Sequence, residues 1–116
     1  MKGAGAKEIC LLACTSSYPA DIADSNLQRI LALSSAFPDC QVGLSDHTIG
    51  STAAVVAAAM GATVIEKHLK LDEADDSVDA AFSANPSQMK DYTKAIADGW
   101  SAIGTCLLYT SDAADE

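Results

Sequence analysis

Three short apolar runs, each followed by a stretch with helical patterning, restrict this chain to one fold class. The first run is "EICLLACTSSYP", Glu8 to Pro19, which ends in hydroxyls and a proline. The second is "CQVGLSDHT", Cys40 to Thr48, and the third is "TVIEKHLKL", Thr63 to Leu71, β-branched at its start. Between them, residues 24–37 repeat apolar side chains at helical spacing, with Leu27, Ile30, Leu31 and Phe37 on one face. Residues 51–62 form an alanine-rich segment closed by Gly61, which suits a C-cap. After an acidic stretch, Asn85 can cap a final helix, with Pro86 in its first turn and Gln88 completing a capping box. Its apolar positions Met89, Tyr92, Ile96, Trp100 and Ile103 are expected to face a core.

Strand–helix alternation with short links implies parallel strands joined by right-handed crossovers. Near-continuous apolar strands imply that both sheet faces are covered. Polar residues gather at the C-terminal ends of all three strands. In a (β/α)8 barrel, and in open α/β sheets, that end is where chemistry sits.

Composition removes several functions. With 116 residues, 49% of them hydrophobic, the chain makes one globular unit or a piece of a larger one. No apolar run is long enough for a bilayer, and the N-terminal run is too short for a secretory signal, so a cytoplasmic protein is expected. A net charge of −9 argues against nucleic acid as a partner. It also leaves little positive charge for a phosphorylated substrate. Cys10, Cys14, Cys40 and Cys106 form no CxxC pair, which favours buried reduced thiols over a zinc site.

Strand alternation then sorts the polar tips. Ser45 and His47 share one face of the second strand with Gly43, while Leu44 and Asp46 share the other. In the third strand Val64, Glu66 and His68 oppose Ile65, Lys67 and Leu69. In the first, Leu12, Cys14, Ser16 and Tyr18 line up. Ser16, Tyr18, Ser45, His47, Glu66 and His68 therefore converge if the polar faces point into a barrel mouth. Adjacent strands lie about 4.8 Å apart, so the two histidines, which are the chain's whole complement, can share one ion. The plainer alternatives stay open: half-buried, hydrogen-bonded histidines, serines that satisfy strand-end backbone groups, and a tyrosine packed as a lid. The acidic run Asp72–Asp79 reads as solvated loop, with Asp79 set apart by the apolar residues after it.

The segments "CTSSYPA", "VGLSDHTIG", "GATVIEKHLKLD" and "VDAAFSANPSQMK" resemble the sialic acid synthase family, which comprises N-acetylneuraminate and pseudaminic acid synthases. The resemblance runs from Ile9 to Ile103, and "VDAAFS" together with Ser16 leans toward the pseudaminic acid branch. It implies the last three βα units of a (β/α)8 TIM barrel over residues 1–104. It implies condensation of phosphoenolpyruvate with an open-chain N-acetylated amino sugar, giving a nine-carbon 2-keto sugar acid and phosphate. His47 and His68 then match ligands of a divalent metal, Mn²⁺ above all, with Mg²⁺ or Co²⁺ as alternatives. The metal polarises the sugar aldehyde. Bond formation leaves positive character at the former enol carbon, water adds there, and phosphate leaves. Ser16 and Ser45 match phosphoenolpyruvate contacts. Tyr18 and Asp79 match positions near the acceptor sugar; Asp79, which can also orient metal-bound water, and Glu66 beside His68 are the catalytic candidates. A homodimeric parent enzyme is also implied.

Eight strands close such a barrel, and three are visible here. The family's phosphate-holding lysines are absent from this stretch, and Lys67 points away from the site by alternation, so the chain alone is expected to lack synthase activity. Residues 105–116 no longer resemble the family; "CLLYTSDAADE" resembles translated sequencing-adapter sequence, or reads as a disordered terminus. Two rivals remain: another metal-dependent TIM-barrel aldolase, and a non-catalytic truncated α/β module.

Overall fold

The computed structural model describes residues 2–71 and 82–107. Strands β1 (Cys10–Cys14), β2 (Gln41–Asp46) and β3 (Ile65–Lys67) form one parallel sheet in that order. Helices α1 (Gln28–Ala36), α2 (Thr52–Ala59) and α3 (Pro86–Ile103) alternate with them. The expected α/β architecture is therefore present. Among the described residues, no helix is long and apolar enough to cross a membrane.

The core lies on the helix side of the sheet. Ala13, Val42 and Leu44 from the strands pack with Ile30 of α1 and Ala53 and Ala57 of α2. Alanine at these α2 positions lets the helix lie close to the sheet. Its end is a Schellman motif: Ala62 N–H reaches Ala57 O at 3.0 Å and Gly61 N–H reaches Ala58 O at 3.1 Å. Gly61 adopts φ 103°, a conformation that suits glycine. At the start of α3, Asn85 accepts from Gln88 N–H at 2.7 Å, and Gln88 Oε1 accepts from Asn85 N–H at 2.9 Å. The capping box and the first-turn proline are as the sequence signals.

Several expectations are corrected. Trp100 is 60% exposed and Ile103 49% exposed, so only part of the α3 stripe is buried. The helix turns Gly99 onto Val55 of α2, where an added Cβ would meet Val55 Cγ1 at 2.7 Å. Trp100, the next residue, is therefore carried outward beside the edge strand β3. In α1, Ile30 is fully buried with Leu27 and Leu33 against the core, while Leu31 and Phe37 are half exposed. The cysteines are not buried: Cys10, Cys14 and Cys106 are exposed and Cys40 is intermediate. Cys10 and Cys14 fall on the sheet face opposite the helices, and the described residues leave that face partly open. Val64 and Glu66 are exposed on it too, so coverage of both faces is not met.

Candidate functional site

The ladder between β2 and β3 pairs Ser45 with Glu66 and Asp46 with Lys67. This register carries two separate polar groups, one on each face. On the open face, Ser45 Oγ donates to Glu66 Oε1 at 2.6 Å. One step beyond the last rung, His47 and His68 bring their ring centroids to 5.4 Å. Phe82 lies edge-on to both, at 5.3 Å from His47 and 5.0 Å from His68. Tyr18 packs against His47 with ring centroids 4.6 Å apart and planes tilted by 53°, and its ring lies 5.2 Å from that of Phe82.

His47 is buried and its tautomer is set. Its Nδ1 lies 2.9 Å from the carbonyl of Thr15, an acceptor only, so Nδ1 carries the proton and donates. In the neutral ring the lone pair then sits on Nε2. The Thr15 carbonyl is held by its neighbours: Arg29 donates to Cys14 O at 3.0 Å, Thr15 Oγ1 at 3.1 Å and Ser25 O at 2.7 Å. Ala20 N–H bonds His47 O at 3.0 Å and ties the Tyr18 loop to the same strand end.

On the helix face, Asp46 is 1% exposed. Its Oδ1 accepts from Thr48 N–H at 2.9 Å and from Thr48 Oγ1 at 2.6 Å. Its Oδ2 accepts from Tyr92 OH of α3 at 2.6 Å and lies 3.9 Å from Lys67 Nζ. Lys67 Nζ also donates to Thr48 O and sits 5.3 Å over the Tyr92 ring. Burial lowers the Lys67 ammonium below its ordinary value, with the Asp46 charge opposing the shift. Burial, then the hydrogen bond to Asp46 and its charge, hold the Tyr92 phenol well above its ordinary value.

Of the residues singled out from sequence, Tyr18, His47 and His68 meet at one rim, with Ser45 and Glu66 paired just below it. Tyr18 arrives by a different route from the one expected, because β1 ends at Cys14 and alternation no longer governs Ser16 and Tyr18. A loop delivers Tyr18, and Ser16 is exposed just past the strand end, next to Thr15. Lys67 faces the helices, as alternation requires. Asp79 and the rest of the acidic run Asp72–Asp79 lie outside the described residues, as does most of the 105–116 tail. Sequence reasoning missed Phe82, Arg29 and the roles of Asp46, Thr48 and Tyr92. For Asp46 and Thr48 a signal existed: an Asp two residues before a Thr at a strand end suits a side-chain-closed turn.

A divalent ion fits the open-face pair in one respect. Imidazole nitrogens coordinate such ions at about 2.0–2.1 Å, so rings 5.4 Å apart can contribute one nitrogen each. Among the described residues no group of three or more His, Cys, Asp or Glu side chains gathers to hold a metal. Any further ligands would come from elsewhere or from solvent.

A parallel sheet with alternating helices, whose strand ends carry paired imidazoles beside a serine–glutamate pair, places the chain in the α/β class. The chain belongs to the NeuB family, whose model matches residues 1–107. It is 43% identical over 97 residues to a pseudaminic acid synthase of Campylobacter jejuni, covering 84% of this chain and 28% of that protein. It is 39% identical over 97 residues to an N,N'-diacetyllegionaminic acid synthase of Legionella pneumophila, covering 84% of this chain and 27% of that one. A crystal structure of an N-acetylneuraminic acid synthetase from Leptospira borgpetersenii superposes with a TM-score of 0.77 and 33% identity, over 86% of this chain and 35% of the other. The chain thus spans little more than a quarter of the length of these curated relatives, in keeping with about three of the eight units of a (β/α)8 barrel.

Proposed function

We propose that this chain forms the histidine-bearing rim of a nonulosonic acid synthase that condenses phosphoenolpyruvate with an open-chain N-acetylated amino sugar. The single observation that carries this reading is the His47–His68 pair at one strand-end rim, in a chain whose relatives are synthases of this kind. Pseudaminic acid is the favoured product, since the pseudaminic acid synthase relative is the more similar of the two.

His47 Nε2 and the His68 ring hold a divalent cation, Mn²⁺ first among the candidates. When bound, the cation supplies Lewis-acid polarisation of the sugar carbonyl. The Thr15 carbonyl fixes the His47 tautomer, as outer partners of metal-binding histidines do. Ser45 orients the Glu66 carboxylate at the floor of the rim. Tyr18 and Phe82 wall the imidazoles with aromatic surface and limit water there. Ser16 with Ser45 meets phosphoenolpyruvate, and Asp79 with Tyr18 meets the acceptor sugar. Positive charge for a trianionic substrate comes from outside these residues, because Lys67 is committed to Asp46 and Thr48. The parent enzyme works as a homodimer. The same placement of Lys67 disfavours a Schiff-base aldolase, whose lysine must reach the substrate.

The test is a chimera of the Campylobacter jejuni relative in which the matched segment is replaced by this chain's residues. Phosphate release from phosphoenolpyruvate should require both a divalent ion and an N-acetylated amino sugar. It should vanish with His47→Ala or His68→Ala. A folded chimera without turnover, or turnover that survives either alanine, would overturn the reading.

A further inference from the structure

We propose that Asp46 and Lys67, on the helix side of the sheet, are positioning residues that set the spacing of the His47 and His68 imidazoles on the other side. Each immediately precedes one histidine, and the two are partners on the last rung of the β2–β3 ladder. Strand β3 is only three residues long, so His68 lies beyond the ladder. The last rung therefore sets where both strands leave the sheet, while Ala84 N–H, bonded to His68 O at 2.9 Å, holds the His68 backbone beyond it.

The bonds at the rung close on His47 from both sides. Asp46 Oδ1 takes both the N–H and the hydroxyl of Thr48, which fixes the backbone before and after His47 as one turn. Lys67 Nζ crosses from β3 to the Thr48 carbonyl, so the turn carrying His47 is fastened to the residue before His68. Tyr92 occupies the other Asp46 oxygen from α3 and anchors the group to a helix. The side chains of Asp46 and Lys67 are 0% and 5% exposed, so solvent cannot stand in for a lost partner. A buried ion pair is weak evidence for stability and a better candidate for fixing register, which is the role assigned here. The spacing claim stands on geometry alone; only its metal readout rests on the proposed function.

The experiment uses the 116-residue chain labelled at histidine, with nuclear Overhauser contacts between the two imidazoles as the readout. Co²⁺ titration followed by visible absorption is the second readout. In Asp46→Asn and Lys67→Met, the ring-to-ring contact should fall several-fold in protein that circular dichroism shows to be folded. Co²⁺ affinity should drop about 10–100-fold, as for loss of an outer partner. The double variant should be no worse than the singles, because the pair acts as one unit. A merely structural role would lower the urea midpoint and leave the contact intact in the folded fraction. An unchanged contact in either folded variant overturns the proposal. If neither variant folds, the near-isosteric Thr48→Val removes one bond to Asp46, and an unchanged contact there overturns it equally. A wild-type chain that shows the contact and takes up no Co²⁺ counts against the metal reading, and the contact still decides this one.

Discussion

His47 and His68 face each other at a centroid distance of 5.4 Å, one residue past the last rung that joins their parallel strands. The relationship follows from register. Asp46 and Lys67 are partners, so the residues after them leave the sheet side by side and on the same face.

Loss of either ring should therefore abolish shared binding of an ion. His47→Ala and His68→Ala are each expected to weaken Mn²⁺ or Co²⁺ uptake by more than about 100-fold, beyond the usual cost of losing an outer partner. Calorimetric titration of the purified chain measures this. Equal affinity in either variant would remove that residue from the ligand set.

Gly43 is expected to tolerate no side chain. A Cβ built there would lie 2.1 Å from Val64 O and 2.9 Å from Leu12 Cδ2. Val64 O also accepts Leu44 N–H at 2.9 Å, so it cannot retreat without loosening the β2–β3 ladder. Gly43→Ala should destabilise the chain by about 1–3 kcal/mol, the cost of overpacking. A urea midpoint equal to wild type would show that the strands shift freely, and would weaken the argument from register.

The α3 cap gives a test of the local chemistry that starts this helix. Asn85→Ala removes the acceptor for Gln88 N–H and leaves one half of the capping box. The expected loss is about 1 kcal/mol by chemical denaturation. Metal uptake should change little, since the bond from Ala84 N–H to His68 O at 2.9 Å, which ties this stretch to the rim, is kept. A large change in uptake would mean that the α3 start and the rim are more tightly linked than their contacts suggest.

The parts of this protein legible in its sequence are those fixed by local chemistry. Asn85, Pro86 and Gln88 signal a helix start because their bonds close within one turn. Gly61 signals a helix end because the chain there needs positive φ. Strand alternation foretold that Ser45, Glu66 and the histidines would share a face, and that Lys67 would not. What stayed hidden depends on tertiary partners. Trp100 and Met89 share the helical repeat with Tyr92, yet only Tyr92 is buried, because α3 leans through Gly99 onto Val55. Cys10 and Cys14 are apolar enough for a core but lie on the face the helices do not cover. Arg29 reaches the Thr15 carbonyl's neighbourhood from another element, and no spacing rule announces that.

The Tyr92–Asp46 bond should be visible in the alkaline limb of the stability curve. The phenol is raised above its ordinary value of about 10, mainly by burial and then by Asp46. Above pH 10 the unfolded chain releases this proton while the folded chain keeps it, so the unfolded state binds fewer protons and stability falls as pH rises. Lys67 works the other way. Its lowered value means that the unfolded chain holds a proton the folded chain tends to release, so its contribution makes stability rise with pH up to the ordinary lysine range. Tyr92→Phe deletes the first effect and keeps the ring beside Lys67. Urea midpoints measured from neutral pH to above pH 10 should therefore fall less steeply in Tyr92→Phe than in wild type, even though the variant is less stable at neutral pH by about 1–3 kcal/mol for the lost hydrogen bond to a charged group. Parallel curves for the two proteins would mean that the phenol does not keep its proton against Asp46, and that the bond between α3 and the strand carrying His47 is weaker than the 2.6 Å contact implies.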